Sequence, residues 1–139
     1  INRKLVSYGW GAYFGKSSYA GLFRKNCKTW GSQRVHPKIT LFGNRGGNLK
    51  NHLIHYYCHS IADLIKKLDD YSSARALDLE KENINENIFT NIRRVFSRFW
   101  KCFIVRKGFK EGRIGLMIGI VAGLYPLLSY LKYKENKND

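Results

Sequence analysis

Residues 114–131, IGLMIGIVAGLYPLLSYL, run eighteen positions without a charge. A helix that crosses a bilayer needs about 20 apolar residues, within a range of roughly 17–25. This run is at the short end, and Pro126 interrupts it. Gly115, Gly119 and Gly123 recur every four residues, which on a helix makes a small-residue face that a second helix can approach closely. Basic residues flank both ends: Arg106, Lys107, Lys110 and Arg113 before, Lys132 and Lys134 after. An excess of cations on one side orients a spanning helix, and here both sides carry them. The run therefore reads as a span, as a helix lying in the interface, or as a buried core hairpin.

Charge narrows the partners. The chain of 139 residues has 25 Lys and Arg against 10 Asp and Glu, a net +15. Such a balance implies an anionic partner: nucleic acid, lipid headgroups or a phosphorylated substrate. No Asp or Glu precedes Asp63, while ten Lys and Arg fall between Arg3 and Lys50. That half supplies neither an acidic metal clamp nor a carboxylate general base. Cys27, Cys58 and Cys102 are widely spaced and odd in number, which suits a reducing compartment and argues against a disulfide framework or a zinc ribbon. Ile1 in place of Met, with no apolar leader after it, suggests a piece of a longer protein or a processed product.

The expected fold class is α+β, with one modest domain's worth of core. RVHPKITLFG and GNLKNHLIHYY read as strands joined by the turn GNRGG, with Ile39, Leu41, Leu49, Leu53 and Tyr57 as a core face. Ser60 followed by Asp63 is a capping box, and Ile61, Leu64, Ile65 and Leu68 follow at helical spacing. A helix starting at Ser60 bears on HLIHYYCH, which holds three of the four histidines. On one helix His52, His55 and His59 would share a face. In a strand before the helix they do not, so no metal site is expected. Residues 80–88 read as a loop or a frayed helix end.

NIFTNIRRVFSRFWKCFIVRK is a second amphipathic helix. Its stripe is Ile88, Ile92, Val95, Phe96, Phe99 and Phe103, and Gly108 is the expected left-handed residue closing it. It reads either as a core helix with a solvated basic side or as a helix in a membrane interface. In the second reading Trp100 and the phenylalanines dip in, and Arg93, Arg94, Arg98, Arg106 and Lys107 meet headgroup phosphates.

Three stretches, in order, carry a resemblance. They are YAGLFRKNCKTWGSQRVHPKI, GNLKNHLIHYYCHSIADLIKKLDDYSSARA and FIVRKGFKEGRIGLMIGIVAGLYPLLSYLKYKE. They resemble, respectively, the Arg-Leu-Phe-Arg and Val-His-Glu elements, the Leu-x-His-Tyr and Tyr-Ser-x-x-Ala segments, and the Arg-x-Gly-Phe-x-Asp-Gly element with its terminal apolar helix. All belong to the C-terminal part of bacterial family 2 glycosyltransferases, in particular the lipopolysaccharide core group. The likeness covers roughly residues 10–135.

The resemblance implies the tail of a GT-A-type domain in residues 1–58, amphipathic helices in 59–113 and a membrane-associating helix in 114–135. The nucleotide-binding half, with the Asp-x-Asp motif that holds Mg or Mn on the donor, would lie outside this chain, leaving the chain alone inactive. The implied partners are a nucleotide sugar and a lipid-linked glycan acceptor, reached through the parent protein, and anionic membrane lipids at the cytoplasmic face of the bacterial inner membrane. No nucleic acid is expected. Substrate or phosphate contact falls to Arg24, Lys25, Arg34, Trp30 and His55, with solvated loop charges and core packing as the alternative. Where the family has Glu after its Val-His, this chain has Pro37, which cannot take a proton. The base then comes from elsewhere or is His36, an imidazole having an ordinary pKa near 6.5; a hydrogen-bonding or acceptor-orienting role is the alternative for His36. A non-catalytic membrane-associated remnant and a basic nucleic-acid-binding module are the competing functions.

Overall fold

A computed structural model of the protein describes residues 4–10, 21–51 and 56–138. Two short strands, β1 (Lys28–Trp30) and β2 (Ile39–Leu41), pair antiparallel, with Thr29 opposite Thr40. Three helices follow: α1 (Ile61–Lys81), α2 (Ile88–Trp100) and α3 (Arg113–Asn138). The class is broadly α+β, with the mass of the chain in the helices.

Ser60 caps α1 as its sequence leads one to expect. Its hydroxyl accepts from the Asp63 N–H at 3.0 Å, and the Asp63 carboxylate takes the N–H of Ser60 at 3.1 Å. The N–H of His59 joins the same carboxylate, and these donors hold it below the usual carboxylate range. At the start of α2, Asn87 accepts the Thr90 N–H at 2.7 Å.

α3 is the centre of the fold. α1 packs along it and α2 packs along it, while α1 and α2 make no close approach to each other. Cys58, Leu64, Leu68 and Val121 form one core cluster, with Trp10 and Tyr57 against it. Ala76, Leu79 and Tyr133 form another further along. Each fully buried leucine contributes about 1.5–3 kcal/mol. The glycine face of α3 receives α2: a Cβ on Gly119 would stand 3.1 Å from the Phe99 ring, and one on Gly123 would stand 2.8 Å from the Val95 carbonyl oxygen.

Three expectations are corrected. The strand 39–41 pairs backward with 28–30, and residues 44–51 form no strand. The alternation in Lys28-Thr29-Trp30 supplies the partner that the glycine-rich GNRGG stretch does not lead to. The proposed core face holds only at Tyr57, which packs against the first cluster: Ile39, Leu41 and Leu49 are exposed, because among the described residues no element packs above the two-stranded ribbon. Leu53 lies outside the described residues. The left-handed residue after α2 is Lys107 (φ 55), not Gly108. Between α2 and Lys107 runs a π-type turn, Lys101–Val105. Gly108 is needed for closeness instead: a Cβ there would stand 2.7 Å from the Cys102 carbonyl oxygen.

Candidate functional site

The segment joining β1 to β2 is short, polar and exposed, and by itself would not hold one shape. It is tied at both ends and in the middle. Gly31 donates its N–H to the Lys38 carbonyl at 2.7 Å, closing the hairpin. In the middle, the carboxylate of Asp78 on α1 accepts the N–H of Arg34 at 2.9 Å and that of Val35 at 3.4 Å. Asp78 is only 2% exposed, and the Arg34 guanidinium stands 3.8 Å from it. A buried carboxylate needs such partners, since an uncompensated one costs several kcal/mol. Val35 is buried beside this anchor and His36 follows it, exposed, with backbone in the left-handed region (φ 51). The anchor therefore fixes where the His36 imidazole leaves the fold.

The hairpin carries a second cluster. Trp30 is half exposed and meets Phe23 edge-on, with ring centres 5.7 Å apart. The Lys28 ammonium lies 4.7 Å from the Phe23 ring and 5.0 Å from the Trp30 ring. Arg24 and Lys25 are exposed in the turn that leads into β1, where the Arg24 carbonyl accepts the Cys27 N–H. Arg24, Lys25, Trp30, Arg34 and His36 thus lie on one ribbon and its flanking turns. An open aromatic face beside exposed cations such as Arg24 and Lys25 can stack on a sugar ring and bind a phosphate. His55 lies outside the described residues, as does His52.

A similar tie fixes the other end of the molecule. Glu111, in the single 3-10 turn before α3, accepts the N–H groups of Ser7 at 2.9 Å and Tyr8 at 3.1 Å, with the Lys4 ammonium at 3.1 Å. Burial alone would push its carboxyl up; the Ser7 N–H, Lys4 and the Tyr8 N–H together outweigh burial and hold it below the usual range. Next to this strap, Trp10 meets Tyr57 edge-on at 4.7 Å, and the Lys67 ammonium stands 4.1 Å from the Tyr57 ring. Burial, with Tyr71 alongside, pushes the Tyr57 hydroxyl up to about 12. Trp10 is engaged in packing; Trp30 is the tryptophan of this pair with a free face.

The residues expected at a membrane divide into two groups. Arg94 turns inward, donating to Glu86 at 2.7 Å and to Asn91 at 3.2 Å. Arg98 lies 5.6 Å from the Tyr125 ring, and both arginines line a cleft with Arg75, Glu86 and Ser129. Arg93 and Trp100 face outward, while Arg106 and Lys107 are half-buried at the turn after α2. Asp78 and Glu111, the two carboxylates that position the site segments, were not singled out from sequence. The available signal was that each is a rare acid in a basic chain, Asp78 standing between two leucines and Glu111 between Lys110 and Gly112. Among the described residues no three His, Cys, Asp or Glu side chains gather to hold a metal ion. No protein-family model, curated protein or solved structure matches the chain.

Proposed function

We propose that this chain is the acceptor-side and membrane-docking end of a glycosyltransferase of the family 2 type, moving a sugar from a nucleotide donor to a lipid-linked envelope glycan at the cytoplasmic face of the inner membrane. The observation that carries this reading is the way the motif segments of the resemblance meet. Val35-His36 is tied to the Tyr-Ser-x-x-Ala helix through Asp78. The Gly-Phe-x-x-Gly turn is likewise tied through Glu111, here to Ser7 and Tyr8, which lie just before the stretch of resemblance. Segments far apart in sequence are thus joined by buried carboxylates, as parts of one working surface would be.

In this proposal the exposed ribbon meets the acceptor. The Trp30 face stacks on a sugar ring, Arg24 and Lys25 neutralise phosphate, and the His36 imidazole takes the proton of the attacking hydroxyl, since Pro37 offers no carboxylate. The donor and its divalent cation belong to the upstream half. No step assigned to this chain is routed through that cation.

The test begins with the coding DNA upstream of Ile1. A reading frame that continues into strand–helix alternation with an Asp-x-Asp, and whose product transfers labelled sugar to membrane glycan, is the expected result. A stop codon immediately upstream, or a continuous product without transferase activity, sinks the enzyme reading.

A further inference from the structure

α3 is long and apolar enough to cross a membrane by length and composition. Its neighbours are not suited to hydrocarbon. Alongside its middle stand Arg75, Glu86 and Arg94, lining a cleft over Tyr125, Pro126 and Ser129. Further along, the Lys132 ammonium meets the Asp69 carboxylate at 2.5 Å and the Ser73 hydroxyl at 2.7 Å. A span by α3 with α1 and α2 in place would carry these ions into the bilayer core. Each ion costs several kcal/mol there even after relaxation.

What the fold offers to lipid is the outer side of α2. Its inner side, Val95 and Phe99, is spent on the glycines of α3. Its outer side is also apolar: Phe89 is 80% exposed, Phe96 71% and Trp100 59%, with Ile92 between them. Spacings of three and four residues put these four on one stripe. Arg93 stands within the stripe and makes no ion pair among the described residues. No Asp or Glu occurs between Glu86 and Glu111, a stretch that includes Arg93, Lys101, Arg106 and Lys107. Large aromatics in a wholly cationic setting complement one partner best: an apolar layer under a negatively charged surface.

We infer that α2 lies in the plane of an anionic bilayer, with Phe89, Ile92, Phe96 and Trp100 at the headgroup–acyl boundary and Arg93 and Lys101 on lipid phosphates, and that α3 is the buttress behind it and not a span. This deepens the membrane side of the proposed function and needs no sugar transfer. The anionic lipid surface draws the helix in, and the aromatic stripe holds it.

The test uses the full 139-residue chain carrying Trp10→Phe and Trp30→Phe, so that Trp100 alone reports. Vesicles of phosphatidylcholine containing phosphatidylglycerol should shift Trp100 emission to the blue. Lipids brominated near the headgroup should quench it more than lipids brominated at the bilayer centre. Phe96→Ser should lower partitioning about tenfold with the helical circular dichroism unchanged. Arg93→Glu, at an exposed position that should not disturb folding, should weaken binding to the anionic vesicles. Cysteines placed at Arg113 and Lys137 in a Cys27→Ser background should both react with an impermeant maleimide after the protein is added from outside. No binding to the anionic vesicles overturns the inference, as does quenching strongest at the bilayer centre or protection of one end of α3. The face would then fit another protein surface, such as the upstream half of the parent. Absence of sugar transfer by the parent protein with its tryptophans unchanged, while this chain binds the vesicles, counts against the enzyme reading alone.

Discussion

Arg34 gives its backbone N–H to both carboxylate oxygens of Asp78, at 3.2 and 2.9 Å, across 44 residues of sequence. The Arg34 side chain adds only a longer contact at 3.8 Å and is 52% exposed, so the tie is made by the backbone. Asp78→Ala should therefore cost about 2–4 kcal/mol, because it strands buried donors. Arg34→Ala keeps its N–H and should cost less than about 1 kcal/mol. Urea denaturation of the two variants checks the contrast, and equal costs would place the tie in the guanidinium.

Gly115 packs directly under the backbone of Gly108. A methyl group there meets a carbonyl that cannot swing aside, so Gly115→Ala should destabilise by roughly 1–3 kcal/mol. At Gly46 an added Cβ meets nothing within 4 Å. Gly46→Ala should be neutral or slightly stabilising, through a stiffer unfolded chain. Thermal melts of the pair separate close packing from glycine content as such.

Acid should loosen the fold through Glu111 and Glu86. At Glu86 burial pushes the carboxyl up, and Arg94 with Asn91 outweighs it, so both groups sit below their ordinary range. A depressed folded pKa means that the unfolded chain binds the proton first. The stabilisation is then full above the unfolded value near 4.3 and is lost as pH falls through the folded values. Stability measured from neutral to strongly acid pH should fall on that limb, and Glu111→Gln should flatten it. A limb of unchanged slope in Glu111→Gln would remove Glu111 from this account.

Cys58 and Cys102 are buried, and burial is the main cause pushing both thiols up, against Lys67 at the first and Arg106 at the second. Cys27 is half-buried on the ribbon. A thiol reagent at mildly alkaline pH should label Cys27 first and reach the other two only with unfolding. Peptide mapping after timed labelling reads the order directly.

Under the proposed function, His36→Ala in the full parent protein should reduce kcat by on the order of 100-fold or more with little change in KM. The same substitution should leave folding intact, since the imidazole is exposed. A variant that loses only substrate affinity would make His36 an acceptor-orienting group.

Helices were legible in the sequence because their signals are local. Ser60 with Asp63 marks one boundary, and the glycine spacing of α3 by itself calls for a close neighbour. The strand partner was not legible: three-residue strands carry almost no periodicity, and GNRGG looked like a hairpin turn. The division of α2 was missed for a different reason. Phe96 and Phe99 fit one broad stripe in sequence, and only the position of α3 separates the covered ring from the open one. Asp78 and Glu111 act over long sequence distances, and spacing rules do not reach that far.

Because α1 and α2 both rest on α3 and not on each other, the element synthesised after them is the one that makes them coherent. During translation α1 and α2 emerge with their inner faces bare and stay so until α3 leaves the ribosome, a window in which chaperone capture or aggregation competes with folding. A premature stop within α3 would therefore remove far more than its own residues: it would leave both earlier helices without the surface that orders them.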